Sequence, residues 1–168
     1  MTIIGGEKKG FKLKITKDIR ITSQRVKKVL FDILKDVDGK IFVDLFAGTG
    51  NVGLEALSRG AYFCYFIENN REITKILNEN IRKLGYEGSS KVIFGDVFKL
   101  KIPDADIYFA DPPYNKGYAK RILKKLKDKK GLLIIEHSKF EKINCGEQRQ
   151  VGDTILTFIN LEELDKNG

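Results

Sequence analysis

The run Ile41-Phe42-Val43-Asp44-Leu45-Phe46 passes straight into Ala47-Gly48-Thr49-Gly50, and a helical period begins at Val52 and continues to Arg59. Strand, glycine turn and helix in that order form the first half of a βαβ unit, so this stretch restricts the chain to the α/β folds. The alternation then repeats. Ala61 to Ile67 reads as strand, Glu72 to Leu84 as helix stopped by Gly85, and Lys91 to Phe94 and Ile107 to Ala110 as strands. Tyr118 to Leu126 follows as a Lys-rich helix and Leu132 to Ile135 as a short apolar strand. Several strands are apolar throughout instead of alternating, which predicts a mostly parallel sheet with helices on both faces. Gln148 to Val151 and Thr154 to Ile159 flank Gly152-Asp153 and predict an antiparallel C-terminal hairpin.

Ahead of this core, residues 1–15 read as a half-exposed hairpin appendage, with Phe11, Leu13 and Ile15 alternating against Lys12 and Lys14. Thr22 or Ser23 can cap a helix whose apolar positions run from Val26 to Val37, leaving Arg25, Lys27, Lys28 and Lys35 on its wetter faces and ending at Gly39. The reading is one domain over 1–168, made of an N-terminal hairpin and helix extension (1–38) and a core (39–168). No apolar run approaches the ~20 residues of a membrane span, and the N-terminus lacks the build of a signal peptide, so a cytoplasmic protein is expected. Cys64, in an apolar run, and Cys145, in a polar loop, make neither a metal clip nor a disulfide framework; Cys64 is expected to pack, and no metal is expected.

The charge is unevenly placed. Residues 1–40 carry 11 Lys/Arg against 5 Asp/Glu, and residues 116–130 carry 8 against 1, whereas the stretch between them is slightly acidic. Two basic blocks around an acidic middle suit a polyanion gripped on both sides of a reaction centre, with Lys116, Lys120, Arg121 and Lys124 as candidate contacts. A solvated, Lys-rich helix face explains either block equally well when taken alone.

The loop Asp44 to Gly50 lies where an open α/β sheet forms its ligand crevice. Gly48 and Gly50 permit close backbone approach, free N–H groups at the next helix start favour an anion, and Phe46, Ala47 and Thr49 complete the candidate wall. Gly48, Gly50 and Gly53 also satisfy G-x-G-x-x-G, with Glu68 ending the next strand, which fits NAD. Glu68, with Asn69 beside it, suits two ribose hydroxyls in either case. Asp44 favours S-adenosylmethionine, because a carboxylate is awkward beside a pyrophosphate and apt beside an ammonium. Asp96 and Val97, after the third strand, are candidate adenine contacts, or simply a polar strand end and a packing side chain.

Asp111-Pro112-Pro113-Tyr114 closes the strand Ile107 to Ala110 and suits methylation of a planar amine. The lone pair of such an amine is delocalised, so catalysis needs acceptors around its protons as positive charge develops on nitrogen. Asp111 and the Pro112 carbonyl supply two. Consecutive prolines fix φ and remove competing N–H donors. Tyr114 offers a ring for the base to stack on. His137, the single histidine, follows a strand and reads better as a satisfied strand end than as a general base.

The chain resembles the bacterial 16S rRNA guanine-N2 methyltransferases, members of the class I adenosylmethionine-dependent fold. The resemblance is carried by Ile3-Ile4-Gly5-Gly6, Arg20 with Thr22 to Val26 leading into Leu30-Phe31, Asp44 to Gly50, Gly53 to Ala61, Asp111 to Tyr114, Glu136-His137-Ser138 and Gly152-Asp153-Thr154. It implies a Rossmann-like fold, S-adenosylmethionine as methyl donor, and the N2 amine of one guanine in 16S rRNA as acceptor. The rRNA partner would be met in the small ribosomal subunit or an assembly intermediate by a monomeric enzyme, and Arg25 would lie near cofactor or RNA. Rival readings are a DNA or RNA adenine/cytosine amino methyltransferase, a release-factor glutamine methyltransferase, an NAD-dependent oxidoreductase and a non-catalytic RNA-binding module.

Overall fold

A computed structural model describes residues 1–164; residues 165–168, included in the expected domain span, lie outside the described residues. The strands are β1 (Ile41–Asp44), β2 (Phe63–Glu68), β3 (Ser90–Phe94), β4 (Ile107–Ala110), β5 (Leu132–Ser138), β6 (Glu147–Val151) and β7 (Thr154–Asn160). The helices are α1 (Gln24–Leu34), α2 (Asn51–Ser58), α3 (Arg71–Leu84), α4 (Tyr118–Leu126) and a final turn α5 (Leu161–Leu164). They build one seven-stranded sheet of order β3-β2-β1-β4-β5-β7-β6, parallel from β3 to β5 and antiparallel at β7 and β6.

Apolar strands bury both sheet faces. Phe42, Cys64, Phe66, Phe109 and Ile134 pack with side chains of α1, α2 and α3, while Val43, Ile67, Tyr108, Leu133 and Ile135 pack with α4. The helix ends follow local chemistry. Ser23 Oγ accepts from Val26 N at the start of α1, and Asn70 Oδ1 accepts from Glu72 N and Ile73 N at the start of α3. Gly85, at φ 78°, closes α3.

β5 runs three residues past the end of its apolar run at Ile135. β7 pairs with it over its whole length, from Leu132↔Asn160 to Ser138↔Thr154, so Glu136, His137 and Ser138 gain ladder partners despite their polarity. α1 ends at Leu34, five residues before Gly39, and Val37 is buried from the loop that follows.

The N-terminal segment is not an appendage. A single antiparallel bridge, Thr2↔Lys12, holds it, and Ile3 and Leu13 join the core while Phe11 and Ile15 face solvent. Ile4 N donates to the Glu55 carboxylate, and Ser58 Oγ donates to Gly5 O and accepts from Lys8 N. Lys27, expected on a wet face, has 0 % exposure. Its Nζ donates to Thr2 O and Asn51 Oδ1 and lies 3.5 Å from Glu55 Oε2, because strap and α2 close over that side of α1. Burial lowers the Lys27 pKa, and the Glu55 charge opposes that shift. Asn80 on α3 ties the strap to the glycine loop: its side chain accepts from Lys14 N and donates to Lys14 O and Thr49 O.

Candidate active site

β1 and β4 are parallel neighbours, with Asp44 opposite Phe109, and the chain order reverses between them. Their C-terminal loops, Leu45 to Gly50 and Asp111 to Tyr114, therefore leave the sheet side by side, at the switch point where open α/β sheets bind ligands. A cleft of about 460 Å³ opens there. Phe46, Gly48, Glu68, Asn69, Asp96 and Val97 line it, and Asp111 and Pro113 close its far end. Ala47, Thr49 and Asp44 line a smaller adjoining recess that also reaches Asp111.

The glycine loop is held by carboxylates. Glu68 Oε2 accepts from Gly48 N at 2.8 Å, and Glu68 Oε1 accepts from Asn69 N and Asn70 N. Asp44 Oδ2 accepts from Gly53 N at 3.1 Å, so this N–H of α2 is already satisfied instead of waiting for an anion. Asp44 Oδ1 is buried without a hydrogen-bond partner among the described residues. Burial, opposed by the Gly53 hydrogen bond and assisted by the Glu68 charge, pushes the Asp44 carboxyl up to about 7. Gly50 does not line the cleft. At φ 96° it starts α2, and a Cβ there would lie 2.7 Å from Leu77 Cδ1; at Gly53 a Cβ would lie 2.3 Å from the Phe66 ring. These two glycines serve helix packing, and only Gly48 faces the ligand space.

At the other end, Ala110 pairs with Ile135, so the residues that follow, Asp111 and Glu136, emerge together. Thr22 Oγ1 lies 3.0 Å from Asp111 Oδ2 and 2.9 Å from Glu136 Oε2. The Arg20 guanidinium pairs with Asp111, approaches Pro112 O at 3.4 Å and Glu136 Oε1 at 3.2 Å, and lies 3.9 Å over the Tyr114 ring. The Tyr114 hydroxyl meets Glu136 Oε1 and Thr154 Oγ1. Burial raises the Asp111 pKa well above the ordinary carboxylate range, and Glu136 adds to the shift while Arg20 opposes it.

The family described as Conserved hypothetical protein 95 matches residues 1–160. The chain belongs to that family. It is 32% identical over 152 residues to the ribosomal RNA small subunit methyltransferase D of Buchnera aphidicola subsp. Acyrthosiphon pisum, covering 84% of this chain and 80% of that protein. A hypothetical protein of Thermus thermophilus superposes with TM-score 0.82 at 29% identity, over 95% of this chain and 99% of that one. An RNA methyltransferase from Salinibacter ruber, solved with S-adenosyl-L-homocysteine, shares the fold at TM-score 0.71 and 16% identity, over 84% and 94% of the two chains. The fold is thus the Rossmann-like fold of class I methyltransferases.

Within this member of the Conserved hypothetical protein 95 family, the expected polyanion contacts separate. Lys116, Lys120 and Lys124 are exposed on or just before α4. Arg121 lies 3.8 Å over the Phe98 ring and lines the cleft. Arg25 is exposed on α1 and is not among the residues lining the cleft. Arg20, five residues earlier, occupies the site instead, because the irregular segment before α1 crosses the ends of β4 and β5. Arg20, Thr22 and Glu136 were visible in sequence only through the family resemblance, with no periodicity or spacing to mark them as site residues. His137 is fully buried, its ring nitrogens 3.0 Å from Ser138 O and 2.7 Å from Thr157 Oγ1, as a packed strand residue. Among the described residues no helix is long and apolar enough to cross a membrane, and no cluster of side chains suits a metal ion.

Proposed function

We propose that this chain transfers a methyl group from S-adenosylmethionine to the exocyclic N2 amine of a guanine in 16S rRNA, acting as a cytoplasmic monomer on the small ribosomal subunit or an assembly intermediate. The observation that carries the reading is the convergence of the Asp111 carboxylate and the Pro112 carbonyl on one nitrogen of Arg20 beside the cleft. A planar nitrogen donor is already accommodated at that point. The names of the curated relatives support rRNA of the small subunit as the substrate class.

The cleft suits the methyl donor. The buried, unpartnered Asp44 Oδ1 matches an ammonium, Glu68 at the end of β2 matches ribose hydroxyls, and the Asp96-Val97 turn matches an adenine. S-adenosylmethionine, when bound, supplies a methyl on a cationic sulfur, which becomes a neutral thioether once the nitrogen lone pair has taken the methyl. Asp111 accepts one N–H of the target amine and Pro112 O the other, which leaves the lone pair directed out of the base plane. As the N–C bond forms, positive charge grows on nitrogen beside the Asp111 carboxylate, and this preorganised acceptor stabilises it. The surplus proton on the methylated amine, which an aryl ammonium gives up readily, then passes to the Asp111 carboxylate. A base held this way must leave its stack, at a cost of a few kcal/mol.

The test is labelled methyl transfer to free rRNA, small ribosomal subunits and DNA, followed by nucleoside mass analysis. N2-methylguanosine in rRNA is the expected product; methylated adenine or cytosine would transfer the reading to the rival amino methyltransferases. Asp44 adds a pH signature. Only its ionised form holds an ammonium, so with a carboxyl near pH 7, cofactor affinity should fall by up to about tenfold per pH unit below 7. Loss of the cofactor's own ammonium caps affinity above about pH 8. Calorimetry between pH 5.5 and 7 should show proton release on binding, and Asp44→Asn should bind at least about tenfold more weakly without that release.

Phosphate contacts by the exposed face of α4 have their own readout. Lys120→Ala and Lys124→Ala should each weaken rRNA binding and flatten the log–log salt dependence by about 0.7 to 0.9. A slope unchanged in the double variant would assign these lysines to solvent.

A further inference from the structure

The position of the Arg20 guanidinium describes the ligand that belongs there. Its central carbon lies 3.9 Å over the Tyr114 ring, one terminal nitrogen meets Asp111 and Pro112 O, and the other meets Glu136 Oε1 at 3.2 Å. Two protonated nitrogens on one planar carbon are also what guanine presents along its N1–C2–N2 edge. Adenine and cytosine carry an amine beside a ring nitrogen that has no proton. On a base laid over Tyr114 with its amine at Asp111 and Pro112 O, the neighbouring ring position falls opposite Glu136.

Resting on the methyltransferase reading above, we propose that Glu136 is the residue that selects guanine, its carboxylate accepting the N1–H while Asp111 and the Pro112 carbonyl hold the N2 amine. Arg20 occupies this seat in the unliganded chain and is displaced as the base enters. Glu136 is built for the task. Its side chain is 2% exposed. Thr22 Oγ1 holds Oε2, and the Tyr114 hydroxyl reaches Oε1 at 3.2 Å, which fixes the carboxylate beside the stacking ring. Its backbone is pinned in β5 by pairing with Leu156 of β7, so it yields little to a poorly matched base. A carboxylate facing the unprotonated ring nitrogen of adenine or cytosine sets lone pair against lone pair in a desolvated site, a strong basis for rejection.

The experiment uses a synthetic RNA fragment spanning the methylated guanosine and the same fragment with 2-aminopurine at that position. The analogue keeps the purine stack and the C2 amine but lacks the N1 proton. Wild-type enzyme should favour guanosine in kcat/KM by about tenfold or more, the effect of one lost charge-assisted hydrogen bond. In Glu136→Gln the amide can turn an N–H toward the unprotonated nitrogen, so the preference should shrink to within about threefold while cofactor affinity stays unchanged. Equal rates on both fragments with wild-type enzyme overturn the role of Glu136, as does a preference that Glu136→Gln leaves intact. Methyl transfer to neither fragment, with none to small ribosomal subunits, overturns the methyltransferase reading itself; transfer to subunits alone moves the same comparison to subunits reconstituted with the two rRNAs. The wild-type comparison needs no variant, so the role of Glu136 can be overturned even if the Glu136→Gln protein misfolds.

Discussion

Asp111→Ala should lower the rate of methyl transfer by about 100- to 1000-fold or more while cofactor affinity stays within several-fold. Asp111 follows β4 at the edge of the cleft, its carboxylate meets both Arg20 and Thr22, and in the proposed reaction it accepts from the target amine. On the proposed mechanism, alanine removes the acceptor just where charge develops on nitrogen and leaves in place the groups around Asp44 proposed to receive the cofactor tail. Single-turnover methyl transfer together with calorimetric cofactor binding separates the two effects. A variant that methylates at near wild-type rate would remove Asp111 from the reaction, and one that loses cofactor affinity in parallel would make it a cofactor contact. Tyr114 acts differently. Its ring lies under the Arg20 guanidinium, where the base is proposed to sit, and its hydroxyl meets Glu136, so on this reading it shapes binding more than the bond-making step.

The second large effect concerns stability. Glu55→Ala should destabilise the chain by about 3–5 kcal/mol, because it leaves the Lys27 ammonium without its counter-charge in a site with no water contact. Ile4 N loses its acceptor and Arg59 its i,i+4 partner in the same step. Lys27→Met should cost much less, since Glu55 keeps Arg59 and Ile4 N and the new side chain is apolar and of similar length. Urea unfolding at constant m-value measures both. A Glu55→Ala cost below about 1 kcal/mol would show that strap, α1 and α2 are joined by packing alone. The consequence reaches the active site, because the strap that Glu55 anchors continues through Lys14 into the segment carrying Arg20 and Thr22.

Much of this was legible in local pattern. The apolar strands with intervening helical periods describe a parallel sheet, and Asp44 to Gly50 and Asp111 to Tyr114 sit at strand ends, the edge where such sheets bind ligands. His137 is a packed strand residue, as its surroundings in sequence suggest. Three residues have surroundings that local pattern did not indicate, for identifiable reasons. Lys27 follows the helical period of a solvent-facing residue, yet strap and α2 cover it. Gly50 belongs to a ligand-loop pattern, yet Leu54 and Leu77 crowd it from the helix side. Arg121 sits in a basic block, yet the aromatic rings of Phe98 and Tyr118 draw its guanidinium over the cleft.

By itself the sequence determined the class of fold, the two loops at the strand ends and the kind of chemistry their residues suit, because each depends on residues within about ten positions of one another, where period, turn and capping preferences act. Only the tertiary structure decided which side chains meet beside the cleft. Arg20 and Thr22 come from the segment before α1, Asp111 from the end of β4 and Glu136 from β5, and they converge because Ala110 pairs with Ile135 and the strap crosses above that pair. Strand register and strap path are set by burial across the whole core, and no local spacing records them.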